Sequence, residues 1–172
     1  RKALIEAARW QIGKTVSYNP AYERLSYPMG DIPMERGVCT DVLIRAFRRG
    51  LDLDLQQLVH EDMRANFSEY PKNWGLSKPD KNIDHRRVPN LEKYFSRQGW
   101  RKLVSDDAED YLPGDIVVCY VDNIRPHIMI ISDRVNKEGI PLTIHNRGGG
   151  TRENNYLFGS PLKGHYRLPV EK

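Results

Sequence analysis

Long apolar runs are missing from this chain. None approaches the roughly 20 residues a bilayer-spanning helix needs, so no stable membrane insertion is expected. Cysteine is scarce, with only Cys39 and Cys119. Two cysteines do not make a disulfide framework, and a pair so far apart does not have the spacing of a zinc site. The chain also has no Lys/Arg block interleaved with aromatics, which argues against nucleic acid as a partner. Its net charge of +4 is spread along the sequence and suits an anionic substrate, such as a carboxylate-rich peptide or the cell envelope. Gly148-Gly149-Gly150 lacks the lysine and following helix of a phosphate-binding loop. There is no internal repeat and no linker. A length of 172 residues fits one domain, 1–172, with a core of its own. The chain opens on Arg1 rather than Met, so it is read as excised or processed, with any signal peptide out of view.

The stretch that organises the rest is Gly37-Val38-Cys39-Thr40-Asp41-Val42-Leu43-Ile44-Arg45-Ala46-Phe47. Val42, Leu43, Ala46 and Phe47 recur at helical spacing and Gly50 ends the pattern. A turn-rich segment precedes it, so Cys39 is expected on the first turn of a buried helix. Unpaired N–H groups and the positive end of the helix dipole favour thiolate there and stabilise an oxyanion one bond away. The plain alternative is a small buried hydrophobe in a core helix.

Around that stretch, Lys2 to Ile12 reads as a helix with Leu4, Ile5, Ala8 and Ile12 on one face. Thr15 to Gly37 is a long aromatic loop of the kind that lines sites. Leu55 to Phe67 reads as a helix whose His60-Glu61-Asp62 forms a solvated face, because adjacent helical residues diverge and cannot share a metal ion. A second loop, from Glu69, ends in Asp84-His85-Arg86-Arg87, and a short helix starts at Pro89. The period then changes. Strands are expected at Ile116–Val121, His127–Ser132, Leu142–Asn146 and Gly164–Leu168. Helices first and antiparallel strands after indicate an α+β domain. Cys119, in mid-strand, should be buried and inert.

His127 and His145 fall on neighbouring strands, where antiparallel pairing can set two imidazoles side by side. If the Cys39 helix packs on that face, His127 takes the thiol proton and holds a Cys⁻/His⁺ pair, while His145 fixes its ring. A metal hydrolase built on His127, His145 and Asp115 lacks ligand spacing, and neither metal nor cofactor is expected. Arg86 and Arg87, with His85 beside them, are candidates for a substrate carboxylate, since a guanidinium makes two parallel bonds. The competing reading makes Arg86 and Arg87 surface charges or pairs them with Asp84 and Glu92.

Cys39 at a helix start, Pro113-Gly114-Asp115-Ile116-Val117, His127-Ile128-Met129-Ile130-Ile131 and Ile144-His145-Asn146 together resemble the NlpC/p60 branch of papain-like cysteine hydrolases. Over its whole length the chain resembles an uncharacterised bacterial family within that superfamily. The stretches that carry this are Gly37-Val38-Cys39-Thr40-Asp41, Leu58-Val59-His60-Glu61-Asp62-Met63, Asn82-Ile83-Asp84-His85-Arg86-Arg87-Val88-Pro89-Asn90 and Gly164-His165-Tyr166-Arg167. The resemblance implies a papain-like core, with N-terminal helices packed on an antiparallel sheet. It implies amide cleavage in peptidoglycan stem peptides, in the periplasm or outside the cell, by a remodelling enzyme or by a secreted antibacterial effector with an immunity protein as partner. It implies Cys39 as nucleophile, His127 as base and His145 as the third polar residue. A tyrosine upstream of the cysteine often helps the oxyanion hole in this superfamily, and Tyr27 fits that offset.

Val38-Cys39-Thr40-Asp41 departs from the Asp-Cys-Ser-Gly usual in the superfamily, so Asp41 either raises the thiol pKa or binds a substrate amine. Two further readings remain open. One is a thiol acyltransferase or lipid-acting relative on the same core. The other is a non-catalytic cell-wall binding module in which Cys39 is structural.

Overall fold

The computed structural model describes residues 1–170; the last two of the expected 1–172 domain lie outside the described residues. The first helix, α1 (Lys2–Trp10), buries Leu4, Ile5, Ala7 and Ala8. It stops two residues earlier than its apolar spacing suggests, because the chain bends into Gly13 at φ 82°. Ile12, expected on the buried face, is therefore 39% exposed. The expected loop from Thr15 contains a short parallel ribbon of β1 (Ser17–Tyr18) and β2 (Arg36–Gly37). Next come α2 (Cys39–Leu51) and α3 (Leu55–Ala65). A 3-10 turn at Asp84–Arg86 leads into α4 (Val88–Arg97). Pro89 sits in the first turn of α4, where its missing N–H would have had no helical partner anyway.

The second half is a five-stranded antiparallel sheet of β3 (Ile116–Val121), β4 (Arg125–Val135), β5 (Pro141–His145), β6 (Arg152–Asn154) and β7 (Leu162–Tyr166). Its order is β6-β5-β4-β3-β7, which makes the fold α+β. The β3–β4 hairpin closes through Ile124 N–H to Val121 O (3.1 Å). Asp122 and Asn123 are left-handed there, at φ 54° and 58°. That conformation costs Asp and Asn less than most residues, because their short polar side chains bond locally.

Side chains alternate across each strand, and here both faces are apolar. Val118, Ile128, Ile130 and Ile144 pack under the helices with Leu43, Phe47 and Phe95. Val117, Cys119, Met129 and Ile131 fill the opposite face with Tyr111 and Leu157. The helical side contains an aromatic stack, with Phe95 5.4 Å from Trp100 and 6.0 Å from Phe47. Phe47 and Phe95, both fully buried, each contribute about 2 to 3 kcal/mol through the area they remove from water. Asp115, fully buried, staples β7 to β3. It accepts from His165 Nε2 at 2.7 Å and from Arg167 at 2.9 and 2.8 Å. These bonds use both carboxylate oxygens, so Asp115 is structural rather than a metal ligand.

Candidate active site

Cys39 is the first residue of α2, as the periodicity suggests. A helix start leaves N–H groups without helical partners, and those of Cys39 and Thr40 lie close enough to the sulfur to favour its charged form. The sulfur also meets the Ile128 N–H, just beyond the last β4–β5 pair, Ile130↔Ile144. Burial outweighs these donors, and the Asp41 charge adds to it, so the thiol is pushed up to about 11.

His127 Nε2 lies 2.7 Å from His145 Nδ1, and His145 Nε2 lies 2.7 Å from Asn154 Oδ1. The amide oxygen can only accept, so His145 donates from Nε2. Its Nδ1 must then accept from His127 Nε2–H. This leaves the lone pair on His127 Nδ1, which has no hydrogen-bond partner among the described residues. Tyr156 stacks on His145 with centroids 5.4 Å apart. Burial, then the positive fields of His145 and Arg147, push His127 down to about 3. Both shifts favour the neutral thiol and the neutral imidazole, against the expected standing Cys⁻/His⁺ pair.

The packing corrects a second expectation. Helix α2 lies on the Ile128, Ile130 and Ile144 face, whereas alternation turns His127 and His145 to the Met129 and Ile131 face. The Cys39 sulfur reaches β4 at the Ile128 N–H, one residue along the strand from His127 and beyond the Ile130↔Ile144 pair.

The first turn of α2 is clamped from behind. Asp41 accepts the Val38 N–H at 2.7 Å and a two-pronged bond from Arg86 at 3.1 and 3.0 Å. Thr40 Oγ1 donates to Arg86 O at 3.0 Å. Arg86 and Asp41 side chains are only 2% and 3% exposed. Arg86 thus pairs with Asp41, not with Asp84 or Glu92, and neither member of the pair is free for substrate. His85 is buried beside them, pushed down to about 3 mainly by burial, and does not face a ligand. Arg86 and Arg87 both line the Cys39 cavity, but the Arg86 guanidinium is taken by Asp41. The Arg87 guanidinium lies 4.3 Å from the Trp74 ring centroid, and its Nη1 is buried without a partner. The cavity is about 360 Å³, walled by Tyr18, Pro20, Trp74, Pro89 and Pro126 around Cys39.

Tyr27 is not at this site. Its ring packs 5.0 Å from His60 over α3 and 5.7 Å from Lys81 Nζ. Tyr18 takes the place expected for it. Pairing of Tyr18 with Gly37 in the β1–β2 ribbon carries it to the cavity, with its hydroxyl beside the Cys39 sulfur. Burial and the neighbouring Cys39 and Asp41 push that phenol up to about 12, so it remains a donor. Asn146 anchors the ribbon by donating to Ser17 O and Gly37 O at 3.2 and 3.3 Å. Sequence reasoning missed Tyr18, Trp74 and Asn154. Only the aromatic richness of the two long loops hinted at the first two. In His60-Glu61-Asp62, Asp62 is taken by Arg97 and Tyr70. Among the described residues, no group of three or more His, Cys, Asp or Glu could hold a metal ion, and no helix is long and apolar enough to cross a membrane.

The chain is 53% identical over 169 residues to a protein of Escherichia coli (strain K12) called "Uncharacterized protein YijF", a match covering 98% of this chain and 82% of that protein. Residues 5–168 match the family described as "Domain of unknown function (DUF1287)". With nearly its whole length inside that match, the chain belongs to the DUF1287 family.

Proposed function

We propose that this chain is a cysteine hydrolase that cuts amide bonds in peptidoglycan stem peptides, in the periplasm or outside the cell, on a papain-like core. The observation that carries the reading is the hydrogen-bonded line Asn154–His145–His127, whose last member adjoins Ile128, the residue whose backbone N–H meets the sulfur of the helix-start Cys39. Such a line fixes the tautomer of a base and directs its lone pair.

In the reaction, His127 Nδ1 takes the Sγ proton as sulfur attacks the amide carbon. Catalytic hydrogen bonds often tighten only when substrate binds, and here substrate must draw thiol and imidazole together. The new oxyanion accepts from Tyr18 O–H and from the Cys39 N–H. The imidazolium then protonates the leaving nitrogen, and a thioester remains. Water, deprotonated by His127, attacks the thioester; the acid leaves and the thiol is restored. Arg87, with its unpaired Nη1 held against Trp74, supports a substrate bearing a free carboxylate.

The test is digestion of purified peptidoglycan, with products read by mass spectrometry. Wild type should release peptide fragments whose masses add up to the uncut species plus one water for each bond cut, and Cys119→Ala should release the same ones. Cys39→Ala should release none; identical fragments from that variant would overturn the assignment.

A further inference from the structure

A second cavity, about 310 Å³, opens at the outer end of the histidine line, lined by His145, Asn154, Tyr156, Arg147 and Arg152. No carboxylate lines it. Arg152 lies directly across the β5–β6 ladder from His145. Its strand neighbour Glu153 points to the opposite face, where Arg9 and Arg134 occupy it. Arg147 is poised over the Tyr156 ring at 4.4 Å, and that ring stacks on His145. Neither arginine forms an ion pair among the described residues. The loop between them is preset, because Asn146 Oδ1 accepts both Gly148 N–H and Gly150 N–H, at 3.1 and 3.2 Å. Two guanidinium groups lining one cavity with no counter-charge suit an anion, since each offers a fork of donors matched to two oxygens.

We propose that this cavity binds an oxyanion, carboxylate or phosphate, between Arg147 and Arg152. The occupant sits next to the His145–Asn154 bond, and through Tyr156 it bears on the ring that orients His127. The site does not depend on the hydrolase reading, because binding can be measured without turnover.

The experiment is an NMR titration of isotope-labelled wild-type protein at constant ionic strength. One arm uses inorganic phosphate, the second N-acetyl-alanine as a carboxylate, and the third chloride as control. Saturable shifts are expected at the His145 ring, the Asn154 side-chain amide and the Gly148–Gly150 amides, with chloride giving none. The oxyanion that saturates at lower concentration identifies the source. Arg147→Gln and Arg152→Gln should each weaken binding by about tenfold, the loss expected for one charge-assisted contact. Arg147→Lys and Arg152→Lys should fall in between, since charge is kept and the fork is lost. Both arginines are exposed, so an otherwise unchanged amide spectrum will show that each variant is folded. Failure of both oxyanions to saturate, or equal affinity in the Gln variants, would overturn the site.

Discussion

Arg86→Met is the sharpest test of how the cysteine is held. The substitution removes bonds of 3.1 and 3.0 Å and leaves Asp41 charged, 3% exposed, with the Val38 N–H at 2.7 Å as its remaining partner. Breaking a buried ion pair by removing one member costs about 3–5 kcal/mol, because the other charge stays buried. The surviving bond to Val38 sets the expectation at the lower end, about 3 kcal/mol. For a chain of this size each kcal/mol lowers Tm by about 2–4 °C, so Arg86→Met should melt about 6–12 °C below wild type. Asp41→Asn should cost a similar amount, since it strands Arg86 instead. The double variant Asp41→Asn/Arg86→Met strands no charge and should fall well short of the sum. The measurement is urea unfolding followed by tryptophan fluorescence, with matched slopes required before midpoints are compared, and calorimetry for Tm. An exposed pair is worth at most about 1 kcal/mol. A drop below about 3 °C for Arg86→Met, or additive losses in the double variant, would therefore refute the buried clamp.

Four further outcomes are expected. His127→Ala should abolish hydrolysis, whereas His145→Asn should keep part of it and Asn154→Ala should lower kcat by roughly 10- to 100-fold, as loss of an orienting partner does; an Asn154→Ala enzyme as fast as wild type would break the proposed line. With its thiol near 11, Cys39 is thiolate in about one molecule in 10⁴ at pH 7. Its alkylation rate should therefore climb about tenfold per pH unit from 7 to 10, and a plateau below pH 8 would refute the neutral resting thiol. Arg87→Ala should raise KM about tenfold for a stem peptide with a free carboxylate and little for its amidated analogue; equal losses on both would make the arginine structural. The buried, depressed His85, His127 and His145 take up protons more readily when unfolded. Stability should thus be complete above pH 6.5, the ordinary histidine value, and decline as pH falls toward 3. A urea midpoint unchanged between pH 7 and 5 would contradict that burial.

The parts of the site legible in the sequence are those written in strong periodicity. Cys39 stood out because an apolar helical stripe begins beside it, and His127 and His145 because β-branched runs follow or precede them. Arg86 was misread as a surface cation because a 3-10 turn, which no simple pattern announces, aims it inward at Asp41. Asn154 was missed because β6 is three polar residues, Arg-Glu-Asn, held as a strand by pairing with β5 and not by propensity. Tyr18 was missed for a related reason. A two-residue parallel pairing depends on contacts between distant segments, so a sequence offset pointed to Tyr27 instead.

Strand β4 is apolar on both sides, and this changes what a small insertion would do. In a half-buried strand, slipping the register by one residue exposes a row of hydrophobes, and that penalty guards the alignment. Here Ile128 and Ile130 could trade places with Met129 and Ile131 and the chain would still present hydrocarbon to both layers. Greasiness therefore does not say which residue faces which way. The alignment depends on the Asp122-Asn123 bend and on the one polar side chain that must meet His145. One residue added to that bend would leave a folded, soluble-looking hairpin with the His127 imidazole on the wrong side of the sheet.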